Sequence, residues 1–331
     1  KLWPSIWGWV TQKRAGVRWF HTHLCCTTGS FSCWKKRWPY NQQSGSELEG
    51  NMGFQITEQH RASFREDGIV NLNGAIDAQL LTRLNECFEW AIANPGPTVN
   101  GHTQGDEFSF IDLANPAGRD MYEQVIADSA LASLAADLWQ SKYVGFLAEE
   151  VFYKKGRAAP TLWHQDTSYG PWIGPHWVNF WIPLVAHPAE YAIQVVRGSH
   201  KGVMYDGTTF NPEDPTEPVW GEAANFPRLP DINADRAKDP NSWDIVAFDV
   251  EPGDIVALHP HCLHAGGAAD AGLPERRTLV FRFYGDESYY SGHLPDVPGH
   301  YDIPPIAAAS GGFLTDGDLF RPADSAPLLR Q

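Results

Sequence analysis

Positive charge is scarce in this sequence, and long apolar runs are missing. Lys and Arg total 25 against 40 Asp and Glu, a formal net charge of −15. That balance argues against nucleic acid or an anionic membrane as a partner. No apolar stretch reaches the roughly 18 residues of a membrane-spanning helix. Cysteine is also sparse, five in 331 residues, which excludes a disulfide-dense scaffold. Apolar residues are plentiful by contrast. At 43% of the chain they can fill a sizeable core, in one large domain or two small ones.

The charge is unevenly spread. Residues 1–51 hold seven Lys and Arg against Glu47 and Glu49, and carry six of the 14 Trp and three of the five Cys. They show neither a helical nor a strand period, and they match no ordinary targeting peptide. They are expected to be a non-native or disordered extension, with a single domain over 52–331. His21, His23, Cys25, Cys26 and Cys33 could be drawn as a zinc cluster, but the spacing matches no familiar finger. Beyond residue 51 only Cys87 and Cys262 remain, the count expected of a reduced, cytoplasmic protein.

From Met52 onward the organisation is legible. Asp77 is placed to cap a helix on which Leu80, Leu81, Leu84, Phe88 and Ala91 recur at helical spacing. "NPGP" at 94–97 ends it, and 128–139 reads as a second helix. Strand-like segments follow at 143–155, 177–185, 192–199, 245–250, 254–259 and 278–285, separated by Gly, Pro, Asn and Asp. Strands without intervening helices, after a helical block, predict an all-β core with flanking helices: an antiparallel sandwich or jelly roll with helices on one outer face. Residues 201–244 are rich in Pro, Asp and Asn, and are expected to form an irregular lid over the mouth of the roll.

"TLWHQDTSYGPW" at 161–172 sets His164 and Asp166 two positions apart. On an extended segment residues i and i+2 face one way, so both side chains would enter one space. Such a pair presents two ligands to one metal, or makes a structural Asp–His hydrogen bond. With 13 His and 40 acidic residues, roughly one or two His-x-acid triplets arise by chance, so a third ligand is needed. "EPGDIVALHPHCLHAGG" at 251–267 offers His259, His261 and His264. Two histidines and one carboxylate on one face of a metal suit a non-haem Fe(II) oxygenase. A zinc site using two of the close-set histidines, or histidines that simply pack, are the competing readings. Arg276, twelve residues past His264, has the planar fork that holds a carboxylate bidentately.

Taken in order, "FREDGIVNLNGAID", "WHQD", "NFWIPL", "VVRGSHK", "PGDIVALHPHCLHAGG" and "RRT" resemble the phytanoyl-CoA hydroxylase-like family of Fe(II)/2-oxoglutarate dioxygenases over about 56–290. The resemblance implies a double-stranded β-helix of cupin type with the N-terminal helices packed on one sheet. It implies His164, Asp166 and His264 as the metal ligands, Arg276 as the 2-oxoglutarate arginine and Trp181 beside the co-substrate. Fe(II) is the implied metal, with 2-oxoglutarate and O2 as co-substrates and succinate and CO2 as products. Arg197 stands in place of the usual proline of a Pro-Gly-Ser-His turn, and two further departures stand out: "AGGAADAG" replaces the Ser-Gly-Pro-Asn that often follows the distal histidine, and the loop from there to Arg276 is about one residue longer than the family's.

The reading that follows is a dioxygenase hydroxylating a small organic substrate. A cupin-like isomerase or hydrolase that does not use 2-oxoglutarate, and a catalytically silent binding module, are the alternatives. Trp163, Tyr169 and Trp172 are candidates for the pocket or for the core, and Cys262 for simple packing. Arg276 and Arg277 are adjacent on a strand and must face opposite sides. Arg277 shares the greasier face with Leu279, Phe281 and Phe283. If that face meets the helices, Arg276 points into the roll.

Overall fold

A computed structural model describes residues 53–295, 314–322 and 328–330. The expected extension at 1–51 lies outside the described residues. The helices are α1 (Glu58–Asp67), α2 (Ala78–Ala93), α3 (Arg119–Ala127), α4 (Leu131–Trp139) and α5 (Ile232–Lys238). The strands are β1 (Ile69–Leu72), β2 (Asn100–Gln104), β3 (Glu107–Leu113), β4 (Tyr143–Lys155), β5 (Thr161–His164), β6 (Trp172–Ile173), β7 (Trp177–Pro183), β8 (Gln194–Val196), β9 (Ile245–Val246), β10 (Ile255–Leu258), β11 (His264–Gly266), β12 (Glu275–Tyr284), β13 (Tyr289–Tyr290) and β14 (Leu329–Arg330).

Two antiparallel sheets form the roll. The large one runs β1-β10-β7-β12-β4-β3-β2, with β14 also on β4, and the small one runs β5-β11-β8-β9. The expected jelly roll with helices on one face is what is found. α2 starts as read, with Asp77 Oδ1 accepting from the Leu80 N–H at 2.8 Å. It buries Leu80, Leu84, Cys87, Phe88 and Ala91. These residues meet Phe146, Phe180, Ile182, Leu279, Phe281 and Phe283 from the outer face of the large sheet. Burying each Phe there is worth about 1.5–3 kcal/mol. The inner face is smaller and more polar. Trp181, Val256, Leu258 and Val280 form its apolar part, with Ile193 and Val195 from the small sheet side.

Three expectations need correction. The first third is not only helical: the β2–β3 hairpin extends the large sheet. Every residue of β2 is exposed, so no burial period marked it. The helix expected over 128–139 begins at Leu131. Residues 201–244 are not irregular throughout, since they contain α5, capped by Asp231 onto the Ala234 N–H, and a 3₁₀ turn at Gly221–Ala223. Among the described residues no helix is long and apolar enough to cross a membrane.

Candidate metal centre and co-substrate pocket

The two sheets enclose a cavity of about 570 Å³, lined by His164, Asp166, His264, Trp181 and Arg276 together with side chains from the inner face of the large sheet. Pairing of β11 with β5 sets His264 opposite His164, with ring centroids 4.2 Å apart. Asp166 is not on the strand. It opens a 3₁₀ turn over Asp166–Ser168, and its N–H donates to Pro260 O at 2.9 Å. The turn still delivers the carboxylate to the imidazoles, while the side chain of Gln165 points away and donates to Val203 O and His261 O. Candidate ligand atoms of His164, Asp166 and His264 all lie within 4.8 Å of one another.

The donor set is prepared for a cation. Nδ1 of His164 lies 2.7 Å from Leu162 O, and Nδ1 of His264 lies 2.9 Å from Cys262 O. Each carbonyl can only accept, so each Nδ1 carries the proton and each Nε2 is left with a free lone pair. Those Nε2 atoms are 3.4 Å and 3.6 Å from Asp166 Oδ1. The other carboxylate oxygen, Oδ2, accepts from Asn179 Nδ2 at 2.6 Å and lies 3.5 Å from the Arg282 guanidinium. Burial alone would raise Asp166, but the Arg282 guanidinium holds it well below the usual carboxylate range. Burial pushes His264 down to about 4, with His164 adding to it, so this imidazole is neutral near pH 7. Two imidazoles presenting Nε2 and one ionised carboxylate on one face fit a divalent metal of the iron type.

The other histidines do not join. His261 Nδ1 is 2.6 Å from Thr167 Oγ1, and His259 Nε2 meets Gly174 O at 3.0 Å. Trp163 packs in the cluster beneath α5, with its indole N–H on Asn233 Oδ1. Tyr169 and Trp172 line the cavity. Cys262 is a packing residue, wholly buried against Gly68.

Arg276, about six residues along β12 from Arg282, lines the same cavity. Its guanidinium is 5.9 Å from the Trp181 ring, and it donates to Gly267 O. Nε of Arg276 is buried and has no partner among the described residues. Burial lowers this arginine to about 10, and it makes no ion pair among the described residues. Arg277 takes the outer face, paired with Glu89 and lying 4.5 Å over the Phe88 ring. Sequence reasoning missed Asn179, Glu150, Arg282 and Lys154, which all reach the inner face. Their signal was a polar residue inside an apolar strand: Glu150 and Lys154 in "EEVFYKK", Asn179 in "VNFW" and Arg282 in "TLVFRFY".

A profile of the phytanoyl-CoA dioxygenase (PhyH) family matches residues 64–273. The chain belongs to that family. The match contains His164, Asp166, Trp181 and His264 and stops just short of Arg276. No curated protein sequence matches the chain. Among solved structures, the non-heme alpha ketoglutarate dependent epimerase SnoN from nogalamycin biosynthesis is similar at 19% identity and a TM-score of 0.58, over 83% of this chain and 96% of that one. The carbocyclase SnoK of the same biosynthesis is 18% identical with a TM-score of 0.56, over 82% and 96%. EctD from S. alaskensis, crystallised with 2-oxoglutarate and 5-hydroxyectoine, is 19% identical with a TM-score of 0.51, over 71% and 78%. At these identities the likeness establishes the fold.

Proposed function

We propose that the protein is an Fe(II)- and 2-oxoglutarate-dependent dioxygenase that hydroxylates a small organic substrate. The observation that carries this reading is the pairing of two sites in one cavity. His164, Asp166 and His264 form a three-donor face, and Arg276 lines the same cavity as a buried cation with no ion pair among the described residues. The first would hold Fe(II) and leave open positions on it. The second would hold the far carboxylate of a dicarboxylic 2-oxoacid, with Trp181 beside it. Bound iron supplies the activation of O2 coupled to decarboxylation of the co-substrate.

The chain's own residues fix geometry and charge. Asn179 and Arg282 occupy one oxygen of Asp166 so that the other faces the metal position. The Leu162 and Cys262 carbonyls fix both imidazole tautomers. The apolar walls from Leu147, Tyr169, Trp172 and Phe210 keep the substrate side dry. Asp166 fills the third ligand position with a carboxylate, which leaves no place there for a halide and favours oxygenation over halogenation.

The test is anaerobic loading with Fe(II) and 2-oxoglutarate, followed by O2 and measurement of succinate, first alone and then across a panel of small substrates. Succinate release that depends on His164, Asp166 and His264 is expected. Substrate turnover that proceeds with zinc and without 2-oxoglutarate would point instead to the isomerase or hydrolase reading. The similar epimerase and carbocyclase make product identification by mass the second measurement, since hydroxylation adds one oxygen and the other two outcomes do not.

A further inference from the structure

The register of the large sheet sets Lys154 on β4 directly opposite Arg276 on β12. Directly opposed residues of an antiparallel pair share a face and lie close, and like charges there repel. Here both are buried, Lys154 at 3% exposure and Arg276 at 2%. Neither makes an ion pair among the described residues. Lys154 Nζ donates to Ala159 O at 2.7 Å, Thr161 Oγ1 at 3.1 Å and Gly267 O at 3.3 Å. Arg276 donates to the same Gly267 carbonyl. Both line the cavity. Two cations converge on neutral acceptors, and burying charge without a counter-charge is unfavourable. Gly266 lies close against the Arg276 guanidinium, where a Cβ would sit 3.1 Å from an Arg276 nitrogen and from Thr161 Oγ1.

A purely structural role for Lys154, tying the 159–161 segment to the turn at Gly267, accounts for its hydrogen bonds. It does not account for a positive charge opposite another. A neutral donor would make the tie without the repulsion. An anion arriving between the two resolves the conflict, since one carboxylate accepts from both cations and from the Thr161 hydroxyl.

We propose that Lys154 is a second anchor for the co-substrate, sharing the far carboxylate of the dicarboxylic 2-oxoacid with Arg276. This rests on the 2-oxoglutarate reading above and makes Lys154 a residue that selects dicarboxylic over monocarboxylic 2-oxoacids. Burial and Arg276 hold the Lys154 ammonium well below its usual range, and Glu107 on β3 opposes them only weakly. Arg276 and Glu107 are the charged groups that act on it. A bound carboxylate adds negative charge beside the ammonium and favours its charged form.

The experiment compares two ligands on Fe(II)-loaded protein by anaerobic calorimetric titration. These are 2-oxoglutarate and 2-oxovalerate, which has a methyl group where 2-oxoglutarate has the far carboxylate. Lys154→Met removes the charge. Lys154→Gln removes the charge but keeps a donor for the carbonyls, which covers the case in which the Met variant fails to fold. Each variant is expected to lose about tenfold or more on 2-oxoglutarate and little on 2-oxovalerate. Equal weakening of both ligands, or undiminished 2-oxoglutarate affinity, would overturn the proposal and leave Lys154 as a structural tie. A wild type that binds both ligands alike would sink the 2-oxoglutarate reading itself, and this proposal with it.

Discussion

Asn179 donates from Nδ2 to the outer oxygen of Asp166 at 2.6 Å, and this bond decides which oxygen faces the imidazoles. The two residues come from different parts of the roll, the 3₁₀ turn after β5 and the middle of β7. With Oδ2 occupied, Oδ1 is the oxygen left to ligate. Partners of this kind, behind a ligand, usually change metal affinity by about 10–100-fold. Asn179→Ala is therefore expected to weaken Fe(II) binding by about that factor while the protein stays folded. Metal titration followed by competition with a chelator measures it, and unchanged affinity would remove Asn179 from the site.

The outer side of the large sheet gives a ranking. Arg277 is paired with Glu89 and stacked on Phe88, far from the cavity face that holds Arg276. Arg277→Ala is expected to cost about 1 kcal/mol of unfolding free energy, the scale of one exposed ion pair plus one cation–π contact. Its 2-oxoglutarate affinity should stay at the wild-type value. Arg276→Ala should instead lose about 2–5 kcal/mol of co-substrate binding, the usual cost of leaving a buried charge unpaired. Urea denaturation and 2-oxoglutarate titration on both variants decide the order, and the reverse ranking would move the clamp.

The metal face was legible in the sequence for a simple reason. His164 and Asp166 are near neighbours in the chain, and His264 sits at the exit of a strand ended by Pro260. The choice among His259, His261 and His264 was not legible from spacing, because it depends on the β5–β11 register. The face occupied by Arg276 was not legible from pattern alone, since the greasy run Leu279, Phe281 and Phe283 also reads as an interior face; the family resemblance favoured Arg276, and the structure packs that run against the helices. Glu150 and Arg282 were invisible as a pair, since they are 132 residues apart and meet only through cross-strand packing. In the hairpin over 100–113, β2 is exposed throughout and carries no burial period, and the half-buried β3 was missed with it.

The segment 201–244, expected as a lid, is tied down at several points, among them Gln165 to Val203 O, Ser168 Oγ to Tyr205 O and the Tyr169 hydroxyl to Thr208. The Tyr169 hydroxyl donates to Thr208 O at 2.9 Å and accepts from the Thr208 N–H at 2.7 Å. Two residues on, Phe210 is held in the left-handed region at φ 58°, with its ring 5.2 Å from His164 and stacked on Tyr169 at 5.9 Å. Thr208 is fully buried, so loss of the hydroxyl leaves two main-chain groups unpaired. Tyr169→Phe is expected to cost about 1–3 kcal/mol and to open the lid to proteolysis between 201 and 244. Mass spectrometry of limited digests would show the new cuts. Digestion no faster than wild type would mean that the lid is held elsewhere.

The last prediction concerns a buried carboxylate on the helix side of β4. Burial raises Glu149 from 4.5 to about 7, against the Asn115 N–H and Arg119, which lower it. The Asn115 N–H donates to its Oε1 at 2.7 Å, and the side chain is 1% exposed. The unfolded chain releases this proton near the ordinary value, whereas the folded chain keeps it until near pH 7. Between those values the native state binds more protons, so stability falls as pH rises. The loss is fully developed above pH 7 and absent below the unfolded value. A shift of this size corresponds to about 3 kcal/mol. Glu149→Gln keeps an acceptor for Asn115 and removes the ionisation. Other carboxylates titrate in the same range, so the informative quantity is the variant's stability minus that of the wild type. That difference should be near zero at pH 4 and grow to about 1–3 kcal/mol in the variant's favour by pH 8. Urea unfolding at half-unit steps of pH measures it, and a difference that does not change with pH would show that Glu149 is ionised in the folded protein throughout.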